Sequence, residues 1–133
     1  MINKKSIDVL GIGNAIIDVI ADAEDDFLKQ HGLNKGSMTL VDDKASDRLY
    51  DSMQKKLQLS GGSAANTIYG LAKLDCKCAF IGKRSNDVLG DIFFNDLLSS
   101  NIVYTTEPLS SGEASARCLI LVTPDAERTM ATF

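Results

Sequence analysis

The segment Gly61-Gly62-Ser63-Ala64-Ala65-Asn66 constrains this chain more than any other, because two glycines stand at the mouth of a helix-forming run, Ala64 to Leu74. Paired glycines let the backbone approach a neighbour without interference from Cβ. The first turn of the following helix presents N–H groups that have no partner inside the helix. Asn66 falls in that turn, and its amide both donates and accepts hydrogen bonds. Such an arrangement suits a small polyhydroxy ligand, although a tight turn accounts for the same glycines.

The flanking residues place this segment in an alternating α/β pattern. Ile7 to Ile12 is an apolar run with Gly11 and Gly13 behind it, typical of a buried strand. Ile16 to Ala23 is a second β-like run, Phe27 to His31 a helical turn stopped by Gly32, and Ser37 to Val41 another strand. Asp42 or Asp43 is placed to cap a helix through about Lys56, with Leu49, Met53 and Leu57 as its apolar stripe. In the helix after Gly62, the apolar face is Ile68, Leu71, Ala72 and Leu74. Cys78 to Gly82 reads as a strand. Asp87 then caps a helix carrying Leu89, Ile92, Phe93, Leu97 and Leu98, which ends at Asn101. Ile102 to Thr106 is expected to be extended, Ala116 to Thr123 and Arg128 to Phe133 to be strands, and Pro124-Asp125 the turn between them. Strands alternating with helices imply a largely parallel sheet.

Composition excludes several functions. The chain has 133 residues, 44% of them hydrophobic and 24% charged, as in a soluble globular protein of one domain. A net charge of -4 leaves no basic face for nucleic acid. No apolar run approaches membrane-spanning length, and Met1 to Asp8 lacks the core of a secretory signal, so a cytoplasmic location is expected. Cys76, Cys78 and Cys118 are an odd number that makes no secreted-type framework; reduced, small buried side chains are expected, with no metal site.

In order and spacing, three pieces together resemble the PfkB (ribokinase-like) family of carbohydrate and nucleoside kinases, nearest its adenosine kinase-like and fructokinase-like members. They are Gly13-Asn14 leading to Asp18, the Gly61 to Asn66 segment, and Phe80-Ile81-Gly82-Lys83 followed by Asp87 and Gly90. The ending Val122 to Met130 is similar as well. The resemblance runs from Ile7 to the last residue. It implies a Rossmann-type parallel sheet with helices on both faces, plus a β-strand lid near residues 16–41 and 114–133.

It also implies a function. A family kinase transfers the γ-phosphoryl group of ATP, with Mg²⁺, to a hydroxyl of a sugar or nucleoside. The resemblance assigns Asp18 to a vicinal diol, Asn14 to a neighbouring polar contact, the Gly61 and Gly62 amides to sugar oxygens, and Asn66 to a hydroxyl. Residues 1–133 are then the N-terminal, acceptor-binding part of the kinase domain. The family's Gly-Ala-Gly-Asp segment, with its catalytic base, is not in the sequence, so no catalytic residue is assigned in this chain. Lid strands imply a possible homodimer.

Two departures from the family pattern stand out: Asp75 replaces a glycine that closes the helix, and Arg84-Ser85-Asn86 replaces a Val-Gly-Asp. Arg128 is placed either to neutralise a transferring phosphoryl group or to pair with Glu127 or Asp125. Lys83 is a phosphate ligand or a solvated lysine, and Arg117 has a structural role only. Two other readings compete. A dinucleotide site at Gly11-Ile12-Gly13 lacks its third small residue, because Ile16 occupies that position. A truncated, non-catalytic sugar-binding or dimerising module uses the same lid strands.

Overall fold

The computed structural model describes residues 6–133; Met1 to Lys5, part of the segment read as lacking a secretory core, lie outside the described residues. The elements run β1 (Val9–Ile12), β2 (Ile16–Asp22), α1 (Asp25–Gln30), β3 (Met38–Leu40), α2 (Asp43–Ser52), β4 (Leu57–Gly61), α3 (Ser63–Lys73), β5 (Cys78–Ile81), α4 (Val88–Ser99), β6 (Ala116–Val122) and β7 (Arg128–Thr132). The chain is α/β with parallel pairing, and its described residues form two compact units: residues 6–16 with 60–115, and residues 17–59 with 116–133.

The first unit is built on β1 and β5, which pair in parallel with Val9 opposite Cys78 and Ile12 opposite Ile81. Val103 bridges the far side of β5 at Ala79. Among the described residues, that bridge is all the pairing in the stretch expected to be extended from Ile102 to Thr106. Phe80, Phe93, Leu97, Ile102 and Tyr104 fill the core. The Phe93 and Tyr104 rings meet edge-on at 5.6 Å. Asp87 caps α4 by accepting from the Gly90 N–H at 2.7 Å, as its position predicts. Leu74 and Leu98, expected in apolar faces, are instead exposed, because each lies past the stripe that its helix buries.

Asp75 has φ 64°, the left-handed conformation that closes a helix. The aspartate therefore does what a glycine does there in the family pattern, at some steric cost.

The second unit centres on a five-stranded sheet of order β3-β7-β6-β2-β4. β6 and β7 form an antiparallel hairpin, and β3 pairs with β7 in parallel. Alternation along β2 buries Ile17, Val19 and Ala21 and leaves Asp18 and Ile20 half-buried on the opposite face. α2 packs on the buried face and begins at Asp42, whose carboxylate accepts from the Ala45 N–H at 2.7 Å. Arg117 reaches α2 from β6, donating to Ser46 Oγ at 2.6 Å and to Asp47.

The helix expected to continue to about Lys56 stops at Ser52. Met53 turns extended and Lys55 has φ 49°, after which Leu57 opens β4, a strand the sequence pattern did not reveal. Leu57 therefore leaves the stripe of Leu49 and Met53 and is 60% exposed. Gly61, expected to lie in a break, is the last residue of that strand.

Candidate functional site

Four of the five expected site residues lie together in the first unit. Gly62 is the N-cap of α3 with φ 90° and ψ 142°, a conformation open to glycine and strained for other residues. A Cβ there would stand 2.7 Å from Ile16 Cγ2 and 3.4 Å from the Asn14 carbonyl oxygen. Gly62 also accepts from the Asn66 N–H at 2.9 Å, which holds Asn66 in the first turn. No side chain caps α3, so the N–H groups of its first turn are left to solvent or a ligand. The Asn14 and Asn66 side chains are exposed, and among the described residues neither has a hydrogen-bond partner.

Close packing fixes this corner. Gly82, at the end of β5, lies so near Gly13 that an added Cβ would be 2.4 Å from the Gly13 carbonyl oxygen. The buried Tyr104 hydroxyl donates to the Gly82 carbonyl at 2.7 Å. Asp96 of α4 accepts from the Ser60 N–H at 2.7 Å, just ahead of the paired glycines. Neither Tyr104 nor Asp96 was singled out by the sequence, because both act through contacts between elements distant along the chain. Lys83 donates to the Glu107 carbonyl at 2.6 Å, an exposed structural tie.

Asp18 belongs to the second unit. It is a half-buried carboxylate with no hydrogen-bond partner among the described residues. Burial pushes its pKa up from the usual aspartate value, and the nearby Arg128 charge partly opposes that rise. Cys118, whose thiol feels the Asp18 charge, accepts from Thr132 Oγ1 at 3.3 Å, and burial raises its pKa.

Among the described residues, Arg128 makes no ion pair. Asp125, one of the partners considered for it, is taken by Lys35 at 2.7 Å and by Thr123 Oγ1, which hold its pKa at about 2. Arg128 is left exposed at the start of β7, available to a charge brought by a ligand. Arg117, by contrast, is buried against α2 and over the Tyr50 ring.

The dinucleotide reading fails on topology. β1 leads through Gly13 directly into β2, so no helix follows the glycines to receive a pyrophosphate. Cys76 lies outside β5, and among the described residues no group of three His, Cys, Asp or Glu is arranged to hold a metal ion.

Residues 6–133 match the pattern described as pfkB family carbohydrate kinase. The adenosine kinase of Sinorhizobium meliloti is 42% identical with a TM-score of 0.84, over 96% of this chain and 39% of that one. A probable sugar kinase from Rhizobium etli CFN 42 is also 42% identical with a TM-score of 0.84, over 96% of this chain and 38% of that one. The guanosine-inosine kinase of Escherichia coli K12 is 26% identical over 92% of this chain. The chain spans only 30% of that enzyme's length.

Proposed function

The chain belongs to the pfkB family of carbohydrate kinases, and on that premise we propose that it is the acceptor-binding part of an ATP-dependent kinase acting on a hydroxyl of a sugar or nucleoside. Residues 1–133 supply acceptor-binding groups, and the strands near 16–41 and 114–133 correspond to the family's lid strands. Family membership brings ATP, typically with Mg²⁺, as the phosphoryl donor. This chain's own task is to bind the acceptor, orient its hydroxyl and exclude water, which is where positioning contributes to phosphoryl transfer.

Asp18 is the observation that carries the reading. A half-buried carboxylate without a hydrogen-bond donor is costly to a fold. A vicinal diol offers two donors to its two oxygens at once. Asn66 and Asn14 are polar groups left unbonded in the same way, and the Gly62 conformation keeps the mouth of α3 free of a Cβ. A cytoplasmic location and a homodimer through the lid strands belong to the same proposal; among the described residues, no helix is long and apolar enough to cross a membrane.

The test is calorimetric titration of the chain with adenosine and with fructose, on wild type, Asp18→Asn, Asn66→Ala and the double variant. If both residues hold one acceptor, the two substitutions couple by ~1 kcal/mol or more. Additive losses would separate the two residues and remove the shared pocket. The alternative, a non-catalytic sugar-binding or dimerising module, draws on the lid strands, whose edges can pair with another copy. It is favoured if acceptor binds but no longer form of the protein phosphorylates it.

A further inference from the structure

We infer that Lys35 is a positioning residue for Arg128: by holding Asp125, it keeps the carboxylates of the β6–β7 turn off the guanidinium, whose charge is left to act on Asp18. The effect on binding rests on Asp18 being a ligand of the acceptor. Lys35 lies in the connection from α1 to β3. Its ammonium donates to Asp25 Oδ1 at 2.8 Å and pairs with Asp125 Oδ2 at 2.7 Å. The other Asp125 oxygen accepts from Thr123 Oγ1 at 2.7 Å. Both oxygens of that carboxylate are therefore taken. An isolated exposed ion pair counts for little, but one cation shared by two carboxylates, with a hydroxyl behind one of them, forms a network that fixes geometry.

Without such a clamp, the turn would quench its own arginine. It carries two carboxylates, Asp125 and Glu127, just ahead of Arg128. The turn is tight: Ala126 has φ 65°, and its N–H reaches the Thr123 carbonyl at 2.8 Å. Val122 is aligned with Arg128, which leaves Asp125 at the tip, three residues from the arginine. Opposite charges that near each other attract unless something else holds one of them. The second carboxylate is drawn off as well. A Cβ on Gly36 would stand 2.6 Å from Glu127 Oε1, so Glu127 lies against the α-carbon that Gly36 leaves bare. Alternation places Glu127 with Thr129, whose hydroxyl accepts from the Gly36 N–H at 3.0 Å, and away from the Arg128 side. Lys35 and Gly36 thus collect both acids of the turn, and Arg128 is without a partner among the described residues.

Asp18 is where that freedom is felt. Burial raises its pKa, and the Arg128 charge opposes the rise; Cys118 is the other titratable group whose charge couples to it. A guanidinium captured by Asp125 would lose much of its field at Asp18, which would then hold its proton to higher pH. The clamp itself stays ionised throughout. Hydrogen bonds to Asp125 and Asp25 push Lys35 up to about 12, and those from Lys35 and Thr123 hold Asp125 at about 2. A change at Asp18 between pH 4 and 8 therefore reports on Arg128 rather than on protonation of the clamp.

The experiment follows the Asp18 carboxyl carbon by NMR across that pH range, in the 133-residue chain without acceptor. Lys35→Met is expected to move the Asp18 midpoint to higher pH, in the same direction as Arg128→Gln. Adding Asp125→Asn to Lys35→Met removes the competing carboxylate and brings the midpoint back toward wild type, which the loss of a merely structural tie would not do. Lys35→Arg keeps the pair and the wild-type midpoint. In an Arg128→Gln background, Lys35→Met adds no further shift. An unmoved midpoint in Lys35→Met, a shift that persists without Arg128, or no rescue by Asp125→Asn would each overturn the proposal. Calorimetric titration with adenosine at the acid end of the range reads the consequence: Lys35→Met is expected to bind roughly two- to fivefold more weakly, and the rescued double variant like wild type. Midpoints that shift as expected while wild type binds no adenosine would count against the acceptor reading and support the clamp on Arg128.

Discussion

Asp18 couples its chemistry to its burial. Its pKa is raised by desolvation and held back by Arg128, and in the proposed site it would accept from both hydroxyls of a diol in its ionised form. Acceptor affinity is therefore expected to fall as pH drops through a value above the ordinary aspartate 3.8. Arg128→Gln removes the opposing charge and moves that acid limb to higher pH; an unchanged limb in titrations from pH 4 to 8 would show that Arg128 does not act on Asp18. The sign for stability is opposite to that of a salt-bridged carboxylate. Burial penalises the ionised form, so this group disfavours the fold as pH rises through its folded value. Asp18→Asn is thus expected to leave the melting temperature at pH 7 unchanged or higher. It should weaken acceptor binding by ~1.5–3 kcal/mol, roughly 10- to 150-fold. Gly62 is constrained differently. Gly62→Ala forces a Cβ to 2.7 Å from Ile16 Cγ2 at φ 90°, with an expected loss of ~1–3 kcal/mol in urea unfolding.

The link between β6 and α2 rests on one buried cation. Arg117 donates to Ser46 Oγ at 2.6 Å, and Ser46 is fully buried. Arg117→Ala leaves that hydroxyl without its partner and removes the contact with Asp47. The expected cost is ~1–3 kcal/mol by chemical denaturation, with Arg117→Met losing less because it keeps the packing over Tyr50. Elements with their own punctuation were legible in the sequence. Asp42 and Asp87 mark helix starts, and the β6–β7 hairpin follows from apolar runs either side of Pro124-Asp125. β4 was hidden because Leu57 falls four residues after Met53, in phase with a helical stripe that backbone geometry at Lys55 interrupts. For the candidate site the division is similar. Gly62 and Asn66 announce themselves through glycines before a helix, a local signal. Asp96 and Tyr104 hold the same corner through tertiary hydrogen bonds that no local pattern encodes.

At the scale of the whole molecule, each of the two units has an apolar core of its own. Neither contains a described cluster able to hold a metal ion, and the sequence has no Gly-Ala-Gly-Asp segment. Phosphoryl transfer needs the donor, its charge stabilisation and a base held in line with the acceptor hydroxyl. An acceptor pocket alone contributes orientation, which does little while the second reactant is not held beside it. The 133-residue chain is therefore expected to bind adenosine or fructose weakly and to show no ATP-dependent phosphorylation of either above the uncatalysed background. A radiolabelled-ATP assay on the pure chain measures this directly. Turnover that vanishes in Asp18→Asn would mean that this chain builds a donor site from residues other than the family's segment. Turnover unaffected by Asp18→Asn would point to a contaminating kinase, which a second purification with the same assay would reveal.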